Sequence, residues 1–149
     1  MGVFDTITGD ARRESPLWAS ALLPSHERQL VAFFSPLAPE RFELGLETVY
    51  EAYLVHYGRP RLFDPRDETE RVLLGDYLYA HGLVRIAEAG GVAAVAAMAE
   101  LISRCASLRA AGAEGDGEAW VDAVRSLGGT PSPSDVEQAI ERHLARVGA

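Results

Sequence analysis

Apolar residues recur along this chain at helical spacing. Phe42, Leu46, Val49, Tyr50, Tyr53 and Tyr57 share one face and predict an amphipathic helix from Glu40 to Tyr57, ended by Gly58. The next segment has a different pattern. Leu73-Leu74-Gly75-Asp76-Tyr77-Leu78-Tyr79-Ala80-His81-Gly82-Leu83-Val84 is apolar almost all the way round, and it predicts a helix buried inside a larger helical body. An aspartate and a histidine in such a helix need partners, because burying an unpaired polar group is costly.

Start and stop signals extend the pattern. Ser15-Pro16 predicts a short helix to about Leu23, and Pro24-Ser25 a second one to about Phe34. Asp67-Glu68-Thr69-Glu70 has the spacing of a capping box and opens the long apolar helix, which runs to about Ala89. Gly90-Gly91 predicts a turn before an alanine-rich helix from Val92 to about Ala111. After a Gly/acid loop, helices are expected at Glu118 to Leu127 and from the box Ser134-Asp-Val-Glu137 to about Val147. No alternating strand pattern appears. The expected fold is all-α, a single domain over residues 1–149, with about six to seven mostly antiparallel helices joined by short connections.

Charge narrows the functional classes. The net charge is −8, so a nucleic-acid groove or an anionic membrane surface is disfavoured. Every basic residue other than histidine is an arginine, which excludes lysine Schiff-base chemistry and a phosphate-loop lysine. A lone cysteine, Cys105, excludes an intrachain disulfide and reads as a small buried apolar group. The N-terminus has no signal-peptide pattern, and no apolar run is long enough to span a bilayer. The expectation is a cytoplasmic protein without a membrane span.

Three clusters are candidates for chemistry. Glu40, Glu43, Glu47 and Glu51 fall within roughly an 80° arc. They form either a solvated face or a carboxylate surface for a divalent cation, with Glu47 and Glu51 as the candidate ligands. Asp76 and His81 are either polar groups satisfied by neighbouring helices or part of a site with Tyr77. Arg59, Arg61, Arg66 and Arg71 form the densest positive cluster, suited to phosphate or to pairing with the adjacent Asp64, Asp67, Glu68 and Glu70. The spacings typical of dedicated transition-metal sites, nucleophile elbows and Gly-rich phosphate loops do not occur.

Gly58-Arg59-Pro60 followed by Val72-Leu73-Leu74-Gly75-Asp76-Tyr77-Leu78 resembles trans-prenyl diphosphate synthases. In that all-helical family an aspartate-rich helix ends in Arg-Arg-Gly-Lys/Arg-Pro, and a later helix carries Leu-x-Gly-Asp. The Gly-Asp-Tyr version is similar to the small, non-catalytic subunit of two-component long-chain synthases. The resemblance covers about Glu40 to Leu108. The family's Asp-Asp-x-x-Asp falls on Glu47-Thr48-Val49-Tyr50-Glu51, and the two arginines before the glycine become His56 and Tyr57. No second aspartate-rich motif follows. Ionising a diphosphate needs charge stabilisation by metal and arginine, and too few of those charges remain.

The resemblance therefore implies a subunit without catalytic residues of its own. It would pair with a catalytic prenyl diphosphate synthase subunit or with itself. No cofactor is required, and magnesium enters only if Glu47 and Glu51 keep a diphosphate site. Glu47, Glu51, Arg59, Asp76, Tyr77 and His81 are the residues expected to face substrate or partner. Two alternatives stand beside this reading: an unrelated helical interaction or ligand-binding module, and a weak metal-dependent diphosphate enzyme using Glu47 and Glu51.

Overall fold

A computed structural model describes residues 2–147. The described residues form six α-helices: α1 (Val3–Glu14), α2 (Pro16–Ala21), α3 (Glu43–Tyr57), α4 (Glu68–Ala110), α5 (Asp116–Ser126) and α6 (Pro133–Val147). Three short 3-10 turns lie between α2 and α3, and the described residues contain no strand. The all-α bundle expected from the sequence is the fold observed.

Capping follows the local sequence. Ser15 Oγ accepts from the Leu17 amide at 3.1 Å, with Pro16 in the first turn of α2. The Asp67 carboxylate accepts from the Glu70 amide at 2.8 Å. Glu70 reaches back past its cap to the Arg66 backbone amide (3.4 Å) and Nε (3.1 Å), so the box closes one residue early. The last helix is capped two residues before the expected box: Ser132 Oγ accepts from the Asp135 amide at 3.1 Å. Pro133, which lacks an amide hydrogen, fits the first turn.

Two expected boundaries change. Val3–Glu14 is a helix where none is expected, burying Ile7, Thr8 and Ala11. The helix expected from Ser25 to Phe34 is a single 3-10 turn, Ser25–Glu27, followed by irregular chain. Tertiary pairing diverts that backbone. The Leu23 amide donates to the Leu62 carbonyl (2.9 Å), Gln29 to Arg61 (3.1 Å) and Asp64 to Ala21 (2.7 Å).

Helix α3 is the centre of the bundle. All residues from Gly45 through Val55 are buried, so no side of this stretch meets solvent. One side joins a core of Phe34, Phe42, Leu46, Tyr53, Trp120 and Val124. The other joins a core containing Ile7, Trp18, Phe63, Leu74 and Leu78. Helices α3 and α4 run antiparallel, since Gly45 meets Ile86, Val49 meets Gly82 and His56 meets Gly75. Gly82 permits that approach: a Cβ there would lie 2.6 Å from Val49 Cγ2.

The 43-residue α4 is interrupted at Gly91, whose φ of +71° and ψ of −159° favour glycine. The expected Gly90-Gly91 break is therefore a kink inside one long element. By length and mean hydropathy (1.5 over its most apolar 18 residues) α4 is apolar enough to cross a membrane, and 22% of that window is buried. This qualifies the expectation of no spanning segment. In the bundle, α4 buries Leu74, Leu78, Ile86, Met98, Leu101 and Cys105.

Candidate functional site

The acidic stripe does not form one surface. Glu40 and Glu43 are exposed, whereas Glu47 and Glu51 are 2% and 0% exposed. Between the two buried carboxylates stands Arg61, itself 0% exposed. Its Nε donates to Glu51 Oε1 at 2.9 Å, and its Nη1 to Glu47 Oε1 at 2.6 Å and the Val31 carbonyl at 2.5 Å. The remaining oxygens are also satisfied. Glu51 Oε2 accepts the amides of Arg61 (2.9 Å) and Leu62 (2.8 Å), and Glu47 Oε2 accepts Ser35 Oγ at 2.5 Å.

The guanidinium also lies over the rings of Tyr50 and Phe4, about 5 Å from each centroid. Burial opposes its charge, but Glu51 and Glu47 outweigh that and hold its pKa above the ordinary arginine value. A magnesium ion would have to displace this guanidinium to bridge Glu47 and Glu51, so the residues present do not fit one. Among the described residues no cluster of three or more His, Cys, Asp or Glu is arranged around a common metal position.

The other sequence candidates are scattered. Arg59 is exposed, reaching only the Ala145 carbonyl at 3.4 Å. Its neighbours pair locally, Arg66 with Glu70 (3.1 Å) and Arg71 with Glu68 (3.6 Å). Asp76, expected in the interior, has a side chain 67% exposed; its Oδ1 lies 3.4 Å from His56 Nε2. Tyr77 is half-buried and stacks on Trp18. His81 is also half-buried, 3.8 Å from Asp10, which pairs with Arg85. Tyr77 and His81 touch, their ring centroids 5.4 Å apart, but among the described residues only Glu47 and Glu51 of the six candidates share a hydrogen-bonded cluster, and Arg61 already bridges them.

The expectation of a fully buried α4 is corrected in the same region. Leu74, Leu78, Gly82 and Ile86 face inward, while Leu73 and Val84 are 51% and 56% exposed. Leu73, Ala80, Val84 and Ala87 are all exposed and fall within roughly a 60° arc, giving an apolar stripe on the outside of the bundle.

A second polar cluster was not legible as a site. Tyr53 on α3, Arg109 near the end of α4 and Asp116 at the start of α5 form a closed set. Tyr53 donates to Asp116 Oδ2, which also accepts Arg109 Nε at 2.8 Å, while Arg109 Nη2 donates to the Tyr53 hydroxyl at 2.8 Å. Beside them, the Tyr50 hydroxyl and His143 Nδ1 are 2.8 Å apart. His143 is fully buried, and desolvation takes its pKa down to about 4, so the ring is neutral near pH 7. Burial likewise pushes Tyr50 and Tyr53 above the usual phenol range and the Cys105 thiol up to about 12.

A cleft of about 420 Å³ opens between this cluster and α6. Arg109, Asp116 and His143 line it on the polar side, with Ile140, Leu144 and Val147 supplying apolar wall. Asp116 Oδ1 and His143 Nε2 are both buried, and neither has a hydrogen-bond partner among the described residues.

Two sequence signals could have marked this cluster. Tyr50 and Tyr53 lie on the apolar face of α3, so their hydroxyls require partners in the interior. His143 interrupts the apolar series Val136, Ala139, Ile140 and Val147 of the last helix. The likeness to prenyl diphosphate synthases rests on the motif residues alone. No family model, curated protein or solved structure matches this chain.

Proposed function

We propose that this chain is a non-catalytic helical subunit that works by association. Its partner is a catalytic prenyl diphosphate synthase subunit carrying the aspartate motifs that this chain lacks. The apolar stripe Leu73–Ala80–Val84–Ala87 carries the reading. It lies outside the bundle, on the helix that bears the Gly75-Asp76-Tyr77 motif. Contiguous exposed apolar surface is characteristic of a binding face. The state of the acidic residues fits a subunit without its own diphosphate chemistry, because both aligned glutamates are engaged by Arg61.

The test is coexpression with a subunit from the same genome that carries Asp-Asp-x-x-Asp twice. The complex should copurify and condense isopentenyl diphosphate with an allylic diphosphate, and the lone chain should not. Leu73→Glu with Val84→Glu should abolish the complex and leave thermal unfolding unchanged. Turnover by the lone chain, or a complex indifferent to the double variant, would sink the proposal. Self-association through the same stripe would replace the partner with a second copy. The cleft beside His143 favours a second reading, a helical ligand-binding module independent of prenyl chemistry.

A further inference from the structure

The cleft between α4, α5 and α6 combines an apolar wall with a defined set of unmet hydrogen bonds. The only hydrogen bond of the Tyr50 hydroxyl among the described residues is with His143 Nδ1, so the phenol is assigned as donor. The neutral imidazole then carries its hydrogen on Nε2, which has no acceptor among the described residues. Asp116 Oδ1 is the converse, an acceptor without a donor. Its carboxylate is already matched in charge by Arg109 and in hydrogen bonding by Tyr53.

The first turn of α5 adds more donors. Gly115 at its N-cap has no side chain to cap it, and the Asp116, Gly117 and Glu118 amides precede the first intrahelical bond, from the Ala119 amide to the Gly115 carbonyl. All four residues from Gly115 to Glu118 line the cleft. Gly117 leaves this turn close to α6; a Cβ there would meet Ile140 at 3.1 Å.

A ligand complementary to these groups must accept from His143 and the α5 amides and donate to Asp116. It must also be neutral. A carboxylate would leave Asp116 Oδ1 unmet and bring a negative charge beside it. An ammonium would leave the imidazole donor unmet and bring a cation beside Arg109. Unpaired buried groups are the costly alternative.

We propose that this cleft binds a small neutral molecule bearing an amide group on an apolar body. The amide carbonyl accepts from His143 Nε2 and its N–H donates to Asp116 Oδ1; water does not reach either atom in the free chain, so the cleft widens as the amide enters. The apolar body lies on Ile140, Leu144 and Val147. At about 420 Å³ the cleft falls in the range of small-molecule sites. The site is separate from the association stripe, so either proposal can fail without the other.

Benzamide is the probe, with benzoate and toluene as the comparisons, titrated into the full chain while the imidazole signals of His143 are followed by NMR. Saturable movement of those signals is expected with benzamide. Benzoate and toluene should each bind at least about tenfold more weakly, because each leaves a polar group unmatched. Leu144→Trp fills the cleft from a position 55% exposed and so spares the core. It should weaken benzamide at least about tenfold with an unchanged unfolding midpoint. His143→Phe, followed through the backbone amide signals of Gly115 to Glu118, should remove the preference for benzamide over toluene. Absence of saturation, equal binding of toluene, or indifference to Leu144→Trp would overturn the proposal. A trapped water satisfying both atoms would give the first of these results.

Discussion

Helices α3 and α4 pack against each other along most of α3, yet they solve opposite problems. α3 carries three glutamates on its acidic side, two of them, Glu47 and Glu51, within the stretch Gly45 to Val55 that is buried all round. α4 carries the more continuous apolar sequence and leaves a stripe of it outside. The length of the apolar run alone would rank them the other way. Arg61 makes the difference. A loop brings one guanidinium over α3, and with Ser35 and two backbone amides it satisfies every oxygen of both carboxylates. Among the described residues no element covers the outer stripe of α4.

Removing the cation should break the comparison most severely. Arg61→Met leaves two carboxylates buried, an expected loss of about 3–5 kcal/mol in chemical denaturation. Arg61→Met combined with Glu47→Leu and Glu51→Gln removes every charge of the cluster and should recover much of that loss. A loss under 1 kcal/mol for the single variant would show that water reaches the cluster.

Acid should act next, through the histidines that α3 helps to bury. His143 titrates near 6.5 when unfolded and is taken down to about 4 in the fold. Below 6.5 the unfolded chain binds a proton that the folded chain refuses. Stability is therefore undiminished above pH 6.5 and falls between 6.5 and about 4, by roughly 3 kcal/mol at most. Burial lowers the His56 pKa too, so it contributes with the same sign. Denaturation curves of wild type and His143→Phe should diverge in slope across that window; parallel slopes would contradict the assignment.

The contact between the two helices gives a smaller effect. Gly82→Ala places a Cβ 2.6 Å from Val49 Cγ2 and 3.1 Å from the Val49 amide nitrogen, for an expected cost of about 1–3 kcal/mol. A neutral result would mean that α4 slides on α3 without cost. Smallest of all, Val84→Glu on the outer stripe should change monomer stability by less than about 0.5 kcal/mol. A larger loss would show that the stripe is covered.

Much of the fold was legible because it is written locally. The series from Phe42 to Tyr57 marks α3, Asp67 caps α4, Gly91 breaks it, and the all-α class follows from periodicity. Where tertiary backbone pairing competes, the local pattern fails. Residues 28–33 are irregular because the neighbouring chain is tied to the 61–64 loop, a partner far away in sequence. The candidate sites failed for a related reason. The stripe Glu40, Glu43, Glu47, Glu51 has one helical angle but two environments, and only the path of Arg61 separates them. Asp76 and His81 lie away from the fully buried side of α4, and the sequence of an almost uniformly apolar helix does not say which side is buried. The cleft gathers Arg109, Asp116 and His143 from three separate segments, a convergence that no local spacing records.

Arg61 also bears on the order of assembly. Its partners come from Val31, Glu47 and Glu51, and Ser35 completes the shell of Glu47. A half-built version, with one carboxylate buried and the guanidinium still in water, is worse than either the solvated or the finished state. The 24–35 segment and the 59–63 loop must therefore dock on α3 together. That penalty on partial states empties the route of intermediates and makes these segments fold as one cooperative unit.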